Sequence, residues 1–228
     1  DSGNAATTQL SKELADVCAS ICGDEEIRVV IVTGAGEHFC LGTDLTHKEQ
    51  GTELPSAAKM IINIDHPVIA AINGDALGQG LELVLACDLR IAAETAHFGL
   101  PQIISGFIPW DGGTQLLPRI VGRGKAMEMI LTGETIDATQ AYEIGLNNKV
   151  IPPKELMTTV AGMAQEISAK APISLKYAKE AIHKGLDLTL EQGLRLEADL
   201  YHLLQTTEDR TEGIKAFRER RQPQFKGK

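Results

Sequence analysis

Apolar and polar positions along the chain follow two different periods. Leu10 to Ile21 carries apolar residues at helical spacing, and Thr7, Thr8 and Ser11 each offer an N-cap, so an amphipathic helix is predicted. Arg28 to Thr33 (RVVIVT) is a β-branched run closed by Gly34-Ala35-Gly36, which predicts a buried strand and a loop. Ser56 to Ile64 returns to the helical pattern. Val68 to Ile72 predicts a second buried strand, and Asp88 to Ala92 a third. Between those two, a glycine-rich turn opens at Asn73 and feeds a helix-like stretch from Leu81 to Cys87. Helical patterns follow over Gly113 to Ile120, Gly124 to Leu131 and Ala138 to Ile144. Lys149 to Ile151 predicts a short strand stopped by Pro152-Pro153.

Beyond Pro153 the pattern is helical throughout: Glu155 to Ala169, Ile173 to Lys184, Leu190 to Thr206 and Thr211 to Arg221. The expected organisation is an α/β core over 1–153 and a helical C-terminal region over 154–228. No low-complexity linker and no clear internal repeat interrupts it. One apolar stripe after another in the tail needs a surface to cover it, either the core or a neighbouring subunit, so an oligomer is expected.

Composition narrows the class. Hydrophobic residues make up 43% of the 228, enough for a sizeable core, while aromatics are only 4%, so aliphatic packing dominates. No apolar run reaches the roughly 18 residues of a membrane span, and no secretory signal pattern is present. The net charge of −9 argues against general nucleic-acid binding. The exception is the C-terminus, where Lys215, Arg218, Arg220, Arg221, Lys226 and Lys228 crowd together. They form either a solvated helix end or a site for a ligand phosphate. Cys18, Cys22, Cys40 and Cys87 match no zinc spacing, so no metal is expected and reduced thiols in a cytoplasmic protein are. The chain starts at Asp1 without Met, which suggests a preceding segment.

The chemistry concentrates around Asn73-Gly74-Asp75-Ala76-Leu77-Gly78-Gln79-Gly80-Leu81-Glu82. A strand, a glycine turn and a helix start present free backbone N–H groups to a developing negative charge. Glu82 beside them is either an exposed first-turn carboxylate favouring the helix dipole or, if buried, a proton carrier. Two further segments stand out: Glu37 to Leu45, which contains Leu41-Gly42-Thr43-Asp44-Leu45, and Ala96 to Thr114, which contains Phe98-Gly99-Leu100-Pro101-Gln102 and Trp110-Asp111-Gly112-Gly113. Singly each is weak. Gly34-x-Gly36 and Gly78-x-Gly80 lack the remaining glycine of a dinucleotide fingerprint, and no phosphate-loop Gly-Lys-Ser/Thr exists.

In this order and spacing the motifs resemble the crotonase (enoyl-CoA hydratase/isomerase) superfamily, from Asn4-Ala5 to Phe225-Lys226. Phe39 to Leu45, Asn73 to Glu82, Cys87-Asp88, Phe98 to Pro101, Gly112-Gly113-Thr114, Leu131-Thr132-Gly133 and Ala141 to Leu146 carry the resemblance. It implies an α/β spiral of β-β-α units with a helical C-terminal region, and homotrimers or dimers of trimers. It also implies acyl-CoA thioester substrates, with coenzyme A as part of the substrate and no separate cofactor. The backbone N–H groups of Thr43 and Gln79 would form the oxyanion hole, which leaves their side chains free to vary. Glu82 lies where hydratases of the family keep one of two catalytic glutamates. The second falls on Gln102, which orients a water or a substrate but exchanges no proton near neutral pH.

Asp111 is the candidate to compensate, as a catalytic group or as an N-cap for the helix that follows. Trp110 either walls the acyl pocket and desolvates Asp111, or packs in a core. Leu41, Asp44, Leu45 and Gly78 are the remaining candidates around the acyl group, and Phe217 and Lys226 those for CoA adenine and phosphate. Asp75 either faces the acyl site or serves its turn. His47 is read as a surface residue, and His38, His66 and His97 join no recognisable triad. The expected activity is hydration or dehydration of an α,β-unsaturated CoA ester, cyclic and dienoyl esters included. Isomerisation, hydrolysis or dehalogenation on the same scaffold is the alternative, and a non-catalytic binding protein the third reading.

Overall fold

The computed structural model describes residues 3–43 and 56–228. The chain divides into two compact units. One comprises residues 3–23, 31–43, 56–64 and 68–162, and the other residues 24–30, 65–67 and 163–228.

The first unit is built on a four-stranded sheet of β1 (Val30–Thr33), β2 (Val68–Ile72), β4 (Leu89–Ala93) and β7 (Lys149–Ile151), in that order. β2 pairs with β4 and β4 with β7, both in parallel. Every residue of β2 is at 0% exposure. That burial on both faces is why it reads as a continuous apolar run without alternation. The crossover from β2 to β4 passes through β3 (Ala76–Leu77) and α3 (Gln79–Ala86). α3 is QGLELVLA, apolar on nearly all sides, and seven of its eight residues are buried. A helix of that composition belongs inside the unit, not on its surface.

A second, three-stranded sheet joins β3, β5 (His97–Gly99) and β6 (Thr135–Asp137), with β3 parallel to β5 and β5 antiparallel to β6. The glycine-rich stretch after Asn73 is therefore not turn alone. It contains a two-residue strand, too short to show a period of two. α1 (Thr8–Cys22) is capped by Thr7, whose hydroxyl accepts the Leu10 N–H at 3.1 Å. α2 (Ala57–Ile62) is capped by Ser56. A 3-10 turn at Pro101–Ser105 leads towards α4 (Gly113–Val121), α5 (Arg123–Thr132) and α6 (Ala138–Glu143).

The second unit is helical. It takes the end of α7 (Leu156–Ser168), then α8 (Pro172–Gly185), α9 (Leu190–Leu204) and α10 (Glu208–Glu219). The buried Asp209 carboxylate accepts the N–H groups of Lys226 and Gly227 at 2.7 and 2.8 Å, which ties the last residues back to α10. Ile182, Leu186, Leu190 and Leu194 stay exposed. Among the described residues no helix is long and apolar enough to cross a membrane, and no cluster of three His, Cys, Asp or Glu side chains could hold a metal ion.

Candidate active site

Three segments of the first unit are stitched together by backbone hydrogen bonds. Phe39 and Cys40 N–H both donate to Asp75 O at 3.1 Å, Leu77 N–H to Cys40 O at 2.9 Å, and Gly78 N–H to Gly99 O at 2.9 Å. The turn that ends at Thr43, the turn that ends at Gln79 and the strand that leads to Gln102 are thereby brought side by side. Gly42 permits the closest approach. Its φ is +96°, and a Cβ there would stand 3.1 Å from Leu77 O and 3.7 Å from Gln79 N, so only glycine fits without strain. Among the described residues no backbone acceptor is found for the N–H of Thr43 or of Gln79. Gln79 N–H is one of the unpartnered donors at the start of α3.

These groups open on a cleft of about 370 Å³, lined among others by Leu41, Thr43, Gly78, Gln79, Gln102 and Trp110. That volume is in the range of small-ligand sites. Phe107, Ile108 and Trp110 supply its apolar wall and are 54%, 66% and 44% exposed. Trp110 is therefore a wall residue and not part of a core.

Glu82 has no exposure at all. The surface-carboxylate alternative for it is thus excluded by the apolar surroundings of α3. Its Oε1 accepts the N–H groups of Asp111 at 2.8 Å and Gly113 at 2.9 Å, and its Oε2 faces Gln102 Nε2 at 3.3 Å. Burial pushes its pKa up to about 7, against the pull of the Gly113 and Asp111 N–H groups, and the neighbouring Asp111 carboxylate adds to the rise. A carboxyl group that titrates near neutrality both takes and gives a proton under ordinary conditions.

Asp111 is 2% exposed, and its carboxylate is fully engaged. Oδ1 accepts the Ser56 hydroxyl, while Oδ2 accepts Ala57 N–H at 3.0 Å, Ala58 N–H at 3.3 Å and Gln79 Nε2 at 3.0 Å. The capping role expected for it falls on a different helix. α4 starts from Gly112 without a side-chain cap, and Asp111 instead serves the start of α2, 54 residues earlier for Ala57.

The side chains of Thr43 and Gln79 are not free to vary either. Thr43 Oγ1 donates to Gln79 Oε1 at 3.0 Å, and Gln79 is only 2% exposed. Asp75 does not serve the cleft. Its Oδ1 accepts His97 N–H at 3.1 Å and lies 2.9 Å from His97 Nδ1.

Of the other candidates, Asp44, Leu45 and His47 lie outside the described residues. Phe217 and Lys226 belong to the second unit, where Phe217 is 85% exposed. Lys226 borders a cavity of about 570 Å³ together with Asp209, Glu212, Lys215 and Arg221. Arg221 is already held by Glu212 through Nη1 at 2.6 Å and Nη2 at 2.9 Å. Sequence reasoning did not single out Ser56, Ser105 or Phe107 as site residues. Ser56 was legible only as the start of a helical pattern, and the partner of its hydroxyl lies 55 positions away.

The whole chain, residues 1–228, matches a family described as Enoyl-CoA hydratase/isomerase. YngF of Bacillus subtilis, whose name places it among the enoyl-CoA hydratases/isomerases, is 44% identical over 98% of this chain and 90% of its own length. The (E)-benzylidenesuccinyl-CoA hydratase of Thauera aromatica is 40% identical over 98% of this chain and 91% of its own length. The crystal structure of an enoyl-CoA hydratase from Bacillus anthracis superposes with a TM-score of 0.94 at 42% identity, covering 100% of this chain and 92% of that one. The α/β fold expected from the motifs is the one found.

Proposed function

The chain belongs to the enoyl-CoA hydratase/isomerase family, and on that premise we propose that it adds water to the double bond of an α,β-unsaturated acyl-CoA thioester. The observation that carries this reading is Glu82, a buried carboxyl titrating near pH 7 beside two turns whose N–H groups at Thr43 and Gln79 find no backbone acceptor among the described residues. The N–H groups of Thr43 and Gln79 hold the thioester oxygen as it gains enolate charge. In a comparable oxyanion hole, one lost donor costs roughly 3–4 kcal/mol of transition-state stabilisation. Oε1 of Glu82 is saturated by two N–H donors, so Oε2 is the working oxygen. It removes a proton from water as the hydroxyl oxygen bonds Cβ, then delivers that proton to Cα. One carboxyl group thus carries both halves of the addition, and Gln102 beside it orients the water. The addition is redox-neutral, so coenzyme A enters only as part of the substrate.

The nucleophilic alternatives gain no support from Asp111, whose oxygens already accept four hydrogen bonds. The apolar wall of Phe107, Ile108 and Trp110 suits an apolar acyl group. The hydratase name of the Thauera aromatica relative agrees with the chemistry without fixing the acyl chain. The exposed apolar side chains of Ile182, Leu186, Leu190 and Leu194 are surface that further copies of the chain would cover, in the trimer or dimer of trimers that we propose. Sedimentation velocity tests that assembly. The activity is tested with a panel of enoyl-CoA esters and mass spectrometry of the products. A gain of one water is expected. Free CoA, or a moved double bond without mass change, would overturn the assignment.

A further inference from the structure

Asp111 occupies a hub. Its backbone N–H fixes Oε1 of Glu82, and its Oδ2 fixes Nε2 of Gln79, whose Oε1 in turn receives the Thr43 hydroxyl. Its remaining acceptor capacity goes to Ser56 and the first N–H groups of α2. An unbroken line of side-chain hydrogen bonds therefore runs from the start of α2 through Asp111 and Gln79 to Thr43. It crosses between the two turns that line the cleft at Thr43 and Gln79. Asp111 and Gln79 are each 2% exposed, so water does not compete for these bonds. Both the carboxamide and the carboxylate have their partners in fixed geometry.

Backbone hydrogen bonds hold the roots of the two turns, at Cys40 and Leu77. Their tips, at Thr43 and Gln79, are joined only by this side-chain line among the described hydrogen bonds. An oxyanion hole depends on where its donors point, not just on their presence.

We propose that Asp111 is a positioning residue that acts through the Gln79 side chain to set the spacing of the Thr43 and Gln79 N–H groups. It does not touch the substrate. This rests on the reading of those N–H groups as the oxyanion hole, and it assigns to three side chains a task that backbone groups alone do not fulfil.

The test compares D111A, Q79M and the double variant. Q79M keeps the N–H and nearly the volume of residue 79 but breaks the line at its centre. Each single variant should lower kcat on the order of 10- to 100-fold, the scale of a displaced catalytic geometry. KM should change less than about threefold, because the donors matter most at the transition state. The double variant should be no slower than the slower single one, since both remove the same line. A normal kcat in Q79M beside a slow D111A would overturn the proposal, and so would multiplicative losses in the double variant.

An infrared measurement separates this proposal from the hydratase reading. Butyryl-CoA labelled with carbon-13 at the thioester carbonyl has no double bond to hydrate. Its carbonyl band should move to lower frequency on binding the unmodified protein, and by less in D111A and Q79M. An equal displacement in all three overturns the positioning role and leaves the hydratase reading intact. No displacement in the unmodified protein overturns the oxyanion hole itself. Thermal melts of the same samples show that the variants are folded when the band is read.

Discussion

Gln102 Nε2 faces Glu82 Oε2 at 3.3 Å, and Gln102 Oε1 is buried with no hydrogen-bond partner among the described residues. A neutral amide thus occupies the place from which a second carboxyl group would act. The amide donates to an ionised Glu82 and brings no titrating group of its own to that oxygen.

Replacing Gln102 by Glu puts two carboxyl groups against one another. Like charges at that distance resist double ionisation, so the pair should titrate as a coupled system with its upper pKa above the present value of about 7. The rise of kcat/KM for hydration with pH should move upward by about 1 pH unit or more. Initial rates across pH at constant ionic strength check this, and an unmoved or lowered inflection would contradict the contact.

The variant Glu82→Gln keeps an acceptor for the Asp111 and Gly113 N–H groups but cannot exchange a proton. Hydration should fall on the order of 10²- to 10⁴-fold, with the circular dichroism spectrum unchanged. In the unmodified protein, kcat/KM in the hydration direction should rise with pH and level off above about 7, as the Glu82 carboxylate forms. Full activity in the variant would remove Glu82 from the mechanism.

The same carboxyl group makes the folded state less stable at high pH. Its pKa is raised on folding, from 4.5 to about 7, so the native protein binds more protons than the unfolded chain between those values. Stability from this group is fully present below about pH 4.5 and is lost as pH rises through about 7. The rise corresponds to roughly 3 kcal/mol. Glu82→Gln should therefore be more stable than the unmodified protein at pH 8, with the difference shrinking towards pH 4.5. Denaturant melts at the two pH values measure it, and a pH-independent difference would speak against a raised pKa.

Gly113 stands where its N–H reaches Glu82. A Cβ there would come within 2.8 Å of Pro109 Cβ and 3.0 Å of Glu82 Oε1. Gly113→Ala should cost about 1–3 kcal/mol from overpacking. If Glu82 carries the proton as proposed, Gly113→Ala should also lower kcat more than it raises KM. A thermal melt and a kcat–KM comparison test both halves.

Much of this was legible in the sequence where local pattern suffices. Val68–Ile72 shows in full as an apolar run, and Lys149–Ile151 as a short strand stopped by Pro152-Pro153. Glu82 was a catalytic candidate only through the family resemblance, since the residues alone left it between an exposed first-turn carboxylate and a buried one, and its burial emerges with the fold. β3 and β5 were not, since two or three residues carry no measurable alternation. The Gly78-Gln79 turn appears as glycine chemistry alone, with nothing to show that the glutamine side chain is buried. Asp111 failed as a local reading for a physical reason. Asp before Gly-Gly looks like the cap of the helix that follows, but the carboxylate found better donors at Ser56, Ala57 and Ala58. That choice depends on two segments meeting in space, which no local spacing encodes.

The Gly113 amide offers a way to watch the reaction without touching it. Its N–H ends on Glu82 Oε1 at 2.9 Å, and α4 begins there with no side-chain cap of its own. The helix borrows its closing charge from Glu82, the group proposed above to carry the proton. Each protonation of Glu82 weakens that bond and each deprotonation restores it. The nitrogen-15 resonance of Gly113 is thus an indicator built into the backbone, whose shift with pH follows the protonation of Glu82 without any foreign probe group.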